Sequence, residues 1–271
     1  MYLTRHRTPS GPRWALDAKF LPEDFTMQLV LELPANRMAT VLEAAVTEET
    51  AVGELLPPLD PNHEVWASGV TYLRSRDARE AESETGDIYT RVYTAERPEL
   101  FLKALGWRVV GHQAPVRVRP DSLWNVPEPE LTLVINRYEE IVGYCVGNDV
   151  SSRSIEGANP LYLPQAKVYA GSCALGPGIQ LAEPEAMTDL PIWLEIERGD
   201  EVVFEGELRT SQMKRDLRTL VSYLCMELAF PHGVYLMTGT GIVPPDAFTL
   251  QPGDHVRIRI GDLILENPVE G

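Results

Sequence analysis

The chain has 271 residues, 40 acidic and 24 basic, for a formal net charge of −16. That length suffices for one large domain, or a large and a small one, with a sizeable buried core. The acidic excess opposes binding to phosphate backbones and anionic lipid, so nucleic acid and membrane surfaces are excluded as expected partners, and any positive site must come from a metal or a few placed Lys and Arg.

At the N-terminus, the basic stretch MYLTRHRTPSGPRW is followed by no apolar run of signal-peptide length. No stretch of about 18 apolar residues occurs in the chain either, and a cytoplasmic protein is expected. Short apolar runs such as Met27 to Leu33, a helical candidate from Ala39 to Glu49 and the breaker LLPPLDPN set residues 1–62 apart as a small N-terminal domain. From Val65 onward, short β-branched runs alternate with turn signals, which predicts a mainly β domain over residues 63–271. Within it, Asp77 to Thr85 is polar without an apolar face, as a mobile surface helix or lid would be. The stretch RPELFLKAL looks helical, with Glu99 and Lys103 at i and i+4 able to pair on one face. Further on, IWLEIER and EVVFEGEL flank Gly199-Asp200, and HVRIRI and LILEN flank Gly261-Asp262; both pairs read as hairpins. Between them, Leu217, Leu220, Val221, Leu224 and Leu228 line one face of a helix predicted over residues 213–230.

The stretch WNVPEPELTLVI carries the chemistry. In a strand, residues i and i+2 share a face, so Glu128 and Glu130 project to the same side. Pro127 and Pro129 place that segment at a strand start or a sheet edge. A hairpin centred near Glu139 returns through IVGYCVGNDV and brings Asp149 roughly opposite Glu130. Spacing alone leaves an ExE open to an ordinary reading as solvated edge charges. Three converging carboxylates, however, repel one another as bare charges and become favourable around a divalent cation. All-oxygen ligation suits magnesium, with manganese or calcium as alternatives, before zinc. The five histidines (His6, His63, His112, His232, His255) show no HxH or HExxH spacing. No GxSxG surrounds Ser151 and Ser152. Cys145, Cys173 and Cys225 form no CxxC pair and read as reduced core thiols.

With EPELTLVI, GNDVSSR, LPQAKVYAGSCALGP and MTGTGIV in this order, the chain resembles the fumarylacetoacetate hydrolase superfamily over about residues 65–269. The resemblance implies an α+β, mainly β fold, a mixed β-roll with a small N-terminal domain. It also implies magnesium on Glu128, Glu130 and Asp149, and roles for Lys167 and Thr240. The segment SSRSIEGANPLYLPQAKVYAGSCALGP looks closer to the 2-keto-3-deoxy sugar-acid dehydratases, such as those acting on 2-keto-3-deoxy-arabinonate, than to the hydrolases. Where hydrolases of the family carry a catalytic histidine after a Gly-x-x-Tyr strand, GVTYLRSRDARE offers Ser75 or Asp77.

The expected reaction is dehydration of a 2-keto-3-deoxy sugar acid of the pentonate type through a metal-stabilised enolate. Lys167 is the first and Glu99 the second candidate for the proton-handling group; Thr240 and Gly239 face the substrate carboxylate, and Arg153 and Gln165 complete the pocket. Two other readings use the same cluster: a carbon-carbon bond hydrolase of a 2,4-diketo acid or acylpyruvate, and a non-catalytic 2-oxo-acid binder. The resemblance and the prevalence of two-fold assemblies imply a homodimer or higher homo-oligomer.

Overall fold

The computed structural model describes residues 1–82 and 87–271, with backbone alone at residues 77, 79–82 and 87. Its frame is a ten-stranded sheet. The order is Lys19–Phe20, Gly11–Leu16, Tyr2–Thr8, Cys173–Leu181, Ile141–Asp149, Pro129–Ile135, Val234–Met237, Glu64–Gly69 and Glu99–Leu105, with Leu55–Leu56 beside Tyr2–Thr8. Neighbours are antiparallel except Val234–Met237 against Glu64–Gly69, where the long connection permits a parallel pair. A five-stranded sheet runs Glu201–Arg209, Pro191–Arg198, Asp254–Ile260, Leu263–Glu270 and Val116–Arg117, and both expected hairpins lie within it.

Alternation along the strands builds two cores. Leu131, Leu133, Ile135 and Val146 turn toward Ile192, Leu194, Ile196, Val256, Ile258 and Ile260 and seal the large sheet to the small one. Val134, Cys145 and Ile179 turn the other way and pack on Leu3, Trp14, Leu31 and Leu42. Each fully buried Leu or Ile contributes roughly 1.5–3 kcal/mol over its exposed state. Residues 1–62 thus add strands and apolar cover to the same sheet through the pairing of Tyr2–Thr8 with Cys173–Leu181. Cys145 and Cys173 are buried, Cys225 is half-buried, and all three are free thiols. Burial pushes the Cys173 thiol up to about 12, which leaves it unreactive.

Three elements differ from the sequence reading. The helix expected over Ala39 to Glu49 spans Ala35–Ala45, because Pro34 fixes the extended turn that starts it. The helix expected over residues 213–230 is the shorter Leu217–Cys225: Asp216 caps it by accepting the Arg218 and Thr219 N–H groups, and Glu227 in the left-handed region lies beyond its end. The stretch read as helical around RPELFLKAL is the strand Glu99–Leu105, held by six residues of pairing to Glu64–Gly69. Tertiary pairing overrides local helix propensity there. Asp77 to Thr85, read as a mobile helix or lid, is helical through Glu82 within the helix Leu73–Glu82, and its last three residues lie outside the described residues. No described helix is long and apolar enough to cross a membrane.

Candidate metal centre and active site

The hairpin of Pro129–Ile135 and Ile141–Asp149 forms the floor of the site. Pro129 opens its strand, as expected, but the strand is central rather than at an edge; Pro129 needs no donor at that first position. The register also differs from the expected one. Gly147 faces Glu130, and the Asp149 N–H donates to the Glu128 carbonyl at 2.9 Å, so Asp149 lies opposite Glu128. The hairpin turns earlier than Glu139, with Ile141 facing Ile135, and a bulge between Ile141 and Gly143 recovers one residue of that offset. Facing residues share a side of the sheet, so the three carboxylates still converge, with one oxygen from each within 4.8 Å of the others. All three are at most 3% exposed.

So much buried charge needs compensation. Burial first, then the charges of Asp149 and Glu128, push the Glu130 carboxyl well above the usual carboxylate range; Lys167 and the Gly239 N–H, which donates to Glu130 Oε2 at 2.6 Å, pull it the other way. Lys167 Nζ donates to Glu128 Oε2 at 2.9 Å, to Asp149 Oδ2 at 3.1 Å and to Ser151 Oγ. Arg153 Nη2 lies 3.2 Å from Glu128 Oε1. Lys103 is fully buried: its ammonium pairs with Asp149 Oδ1 and donates to the carbonyls of Val150 at 3.1 Å and Lys167 at 2.6 Å. It therefore ties the ligand carboxylate and the main chain of the proton-handling candidate to one point. Three clustered, buried carboxylates, acceptor-only and hard, fit a divalent ion such as magnesium.

Around this floor lies a small, tight cleft. One wall is an arch of two short helices, Arg153–Ala158 and Leu163–Lys167. Glu156 follows Arg153 by three residues and Lys167 follows Leu163 by four, so each pair shares a helix face. Gly69, Glu99 and Phe101 also line it. Gly69 pairs with Glu99, and a Cβ there would come within 2.1 Å of Glu99 Oε2; the glycine makes room for the carboxylate. Gly239 and Thr240, from the Gly239-Thr240-Gly241 turn, line it as well. Gly239 has φ 91°, and a Cβ on it would strike Thr71 Oγ1, the hydroxyl that donates to the Thr238 carbonyl and fixes the turn.

The structure gathers Glu99, Glu128, Glu130, Asp149, Lys167, Gly239 and Thr240 on this cleft. Arg153 stands behind Glu128, buried, rather than on the cleft wall. Gln165 does not join them: its side chain is exposed on the outer face of its helix, and its carbonyl accepts from Arg119. Lys103, read from the sequence as a helical partner of Glu99 and, by the family resemblance, as a residue bordering the pocket, lies on a strand instead. A strand period puts both on one face just as well. Glu156 and Ser75 also line the cleft; Glu156 had no sequence signal beyond its spacing from Arg153. Among the described residues no histidine lines it, and the side chain of Asp77 lies outside them.

A buried carboxylate triad with a lysine upon it, on the floor of a cleft, is a site able to hold a divalent cation. The family model for fumarylacetoacetate (FAA) hydrolase, C-terminal, matches residues 64–270, and the chain belongs to that family. It is 50% identical over 204 residues to a probable 2-keto-3-deoxyxylonate dehydratase of Haloferax volcanii, covering 75% of this chain and 70% of the relative. To the 2-dehydro-3-deoxy-D-arabinonate dehydratase of Saccharolobus solfataricus it is 43% identical over 211 residues, covering 76% and 70%. A solved 2-keto-3-deoxy-D-arabinonate dehydratase, complexed with magnesium and 2,5-dioxopentanoate, superposes with a TM-score of 0.85 at 35% identity, covering 100% of this chain and 99% of that one.

Proposed function

We propose that this protein is a magnesium-dependent hydro-lyase that removes water from a five-carbon 2-keto-3-deoxy sugar acid, with its catalytic domain over residues 63–271. The observation that carries the reading is the buried cluster of Glu128, Glu130 and Asp149 with Lys167 upon it and Glu99 lining the same cleft. The dehydratase relatives and the magnesium complex of the solved neighbour support it. A cytoplasmic location and a homodimeric or higher assembly belong to the same proposal.

Glu128, Glu130 and Asp149 hold the ion. What magnesium supplies when bound there is Lewis-acid polarisation of the 2-ketone, which acidifies the C3 hydrogens. The Gly239-Thr240 turn receives the substrate carboxylate with hydroxyl and backbone donors. Lys167 and Glu99 divide the proton work in the cleft. Lys167 spends its donors on two carboxylates and a hydroxyl, the setting of an ammonium, and it gives a proton to the departing C4 hydroxyl. Glu99, a carboxylate, accepts the proton from C3. Lys103 is a positioning residue that acts through Asp149 and the Lys167 carbonyl.

The test is turnover of a 2-keto-3-deoxypentonate with and without magnesium, in wild type and in Lys167→Met. Magnesium-dependent turnover that the variant loses supports the proposal. Binding of the sugar acid without turnover in the wild type would favour a non-catalytic binder.

A further inference from the structure

Each carboxylate of the triad spends one of its two oxygens on a protein donor. Lys103 pairs with Asp149 Oδ1, Arg153 Nη2 lies 3.2 Å from Glu128 Oε1, and the Gly239 N–H donates to Glu130 Oε2 at 2.6 Å. The bonds to Lys167 are made by the other oxygens of their residues, Glu128 Oε2 at 2.9 Å and Asp149 Oδ2 at 3.1 Å. Of the three donors Lys103 is the least able to give way. Its side chain is fully buried, and its ammonium also donates to the carbonyls of Val150 at 3.1 Å and Lys167 at 2.6 Å. Swinging it off Asp149 would strand a charge and two carbonyls away from water.

A two-oxygen grip of Asp149 on a cation would bring that cation beside the ammonium already on Oδ1, and the two positive charges repel strongly in a buried site. Each carboxylate can therefore give an ion one oxygen at most. Magnesium demands octahedral geometry and keeps several waters, whereas the larger calcium ion gathers about six to eight oxygens and readily takes both oxygens of a carboxylate. We infer that the donors behind the triad, Lys103 first among them, are specificity-determining: they hold it to one oxygen per carboxylate and so select magnesium over calcium. This inference rests on the metal reading of the triad given above.

Magnesium and calcium are each titrated calorimetrically into the chelator-stripped protein, wild type and Lys103→Met, with circular dichroism reporting the fold. Wild type binds magnesium at least about tenfold more tightly than calcium, and Lys103→Met brings the two dissociation constants to within about threefold of each other. Loss of a neighbouring positive charge by itself strengthens both doubly charged ions alike and leaves that ratio unmoved. An unchanged ratio in Lys103→Met, or a wild type that binds calcium as tightly as magnesium, overturns the assignment. Should Lys103→Met fail to fold, Arg153→Met, which removes the donor at Glu128 Oε1, decides: a ratio shifted toward calcium supports the assignment, an unchanged one overturns it. Binding of neither ion by wild type overturns the assignment and the metal reading together. A shifted ratio without pentonate turnover counts against the dehydratase reading alone.

Discussion

Along the strand Pro129–Ile135, the side chains of Leu131, Leu133 and Ile135 enter the apolar layer between the two sheets, while Glu130, with Glu128 just ahead of it, turns to the other side and meets Asp149. Both sides are buried, yet they are held by different physics. The apolar side is stabilised by area removed from water and is indifferent to charge. The acidic side exists only because Lys103, Lys167, Arg153 and the Gly239 N–H offset its repulsion, and it is built to take a cation. Fold strength and function are thus carried by alternate residues of one hairpin, and substitutions on the two sides have separable consequences.

The sharpest way to break that contrast is on the acidic side. Glu128→Gln or Asp149→Asn lowers magnesium-dependent activity by about a thousandfold, the scale of lost charge stabilisation at a reacting group, while circular dichroism still reports the folded protein. Full activity in either variant with chelator present would remove the metal assignment. On the apolar side, Leu133→Ala costs about 2–5 kcal/mol in denaturant unfolding, with kcat/KM per folded molecule unchanged.

A smaller effect lies where residues 1–62 meet the rest of the chain. The His63 ring accepts the Asp60 N–H at Nδ1 and bonds the His232 carbonyl through Nε2, which requires the neutral ring. Burial is the main cause that holds its pKa below the ordinary histidine value. A group with a lowered folded pKa binds fewer protons when folded. Its contribution is complete above about pH 6.5 and is lost as pH falls through the window down to the lowered value, by at most about 1.4 kcal/mol per pH unit. His6 and His112, also lowered mainly by burial, tilt stability the same way. Urea titrations at stepped pH should therefore show a shallower acid slope in His63→Gln; an identical slope would exclude His63. The smallest effect tests the two sides of one short helix. Gln165→Ala leaves kcat/KM within about twofold, as for an exposed substitution, whereas Lys167 two residues on tolerates no such change.

Much of this was legible in the residues. The ExE at a proline-marked strand start, the aspartate at the end of the returning strand and the two Gly-Asp hairpins follow from period-two alternation and turn chemistry. Three things were not legible. The earlier turn and the bulge that together set Asp149 opposite Glu128 depend on backbone geometry within the hairpin. The strand character of Glu99–Leu105 depends on its pairing with Glu64–Gly69, which nothing local encodes. The place of Gln165 outside the cleft depends on how its helix turns, and a five-residue helix shows too little periodicity to reveal a buried face.

The account is tested most directly by mass analysis of the products after the protein is incubated with magnesium and a 2-keto-3-deoxypentonate, alongside a 2,4-diketo acid. The expected result is a five-carbon product lighter than the sugar acid by one water, with the diketo acid unchanged. Cleavage of the diketo acid into pyruvate and a second acid, with the sugar acid untouched, would contradict dehydration and place the chemistry with the carbon-carbon hydrolases of the family.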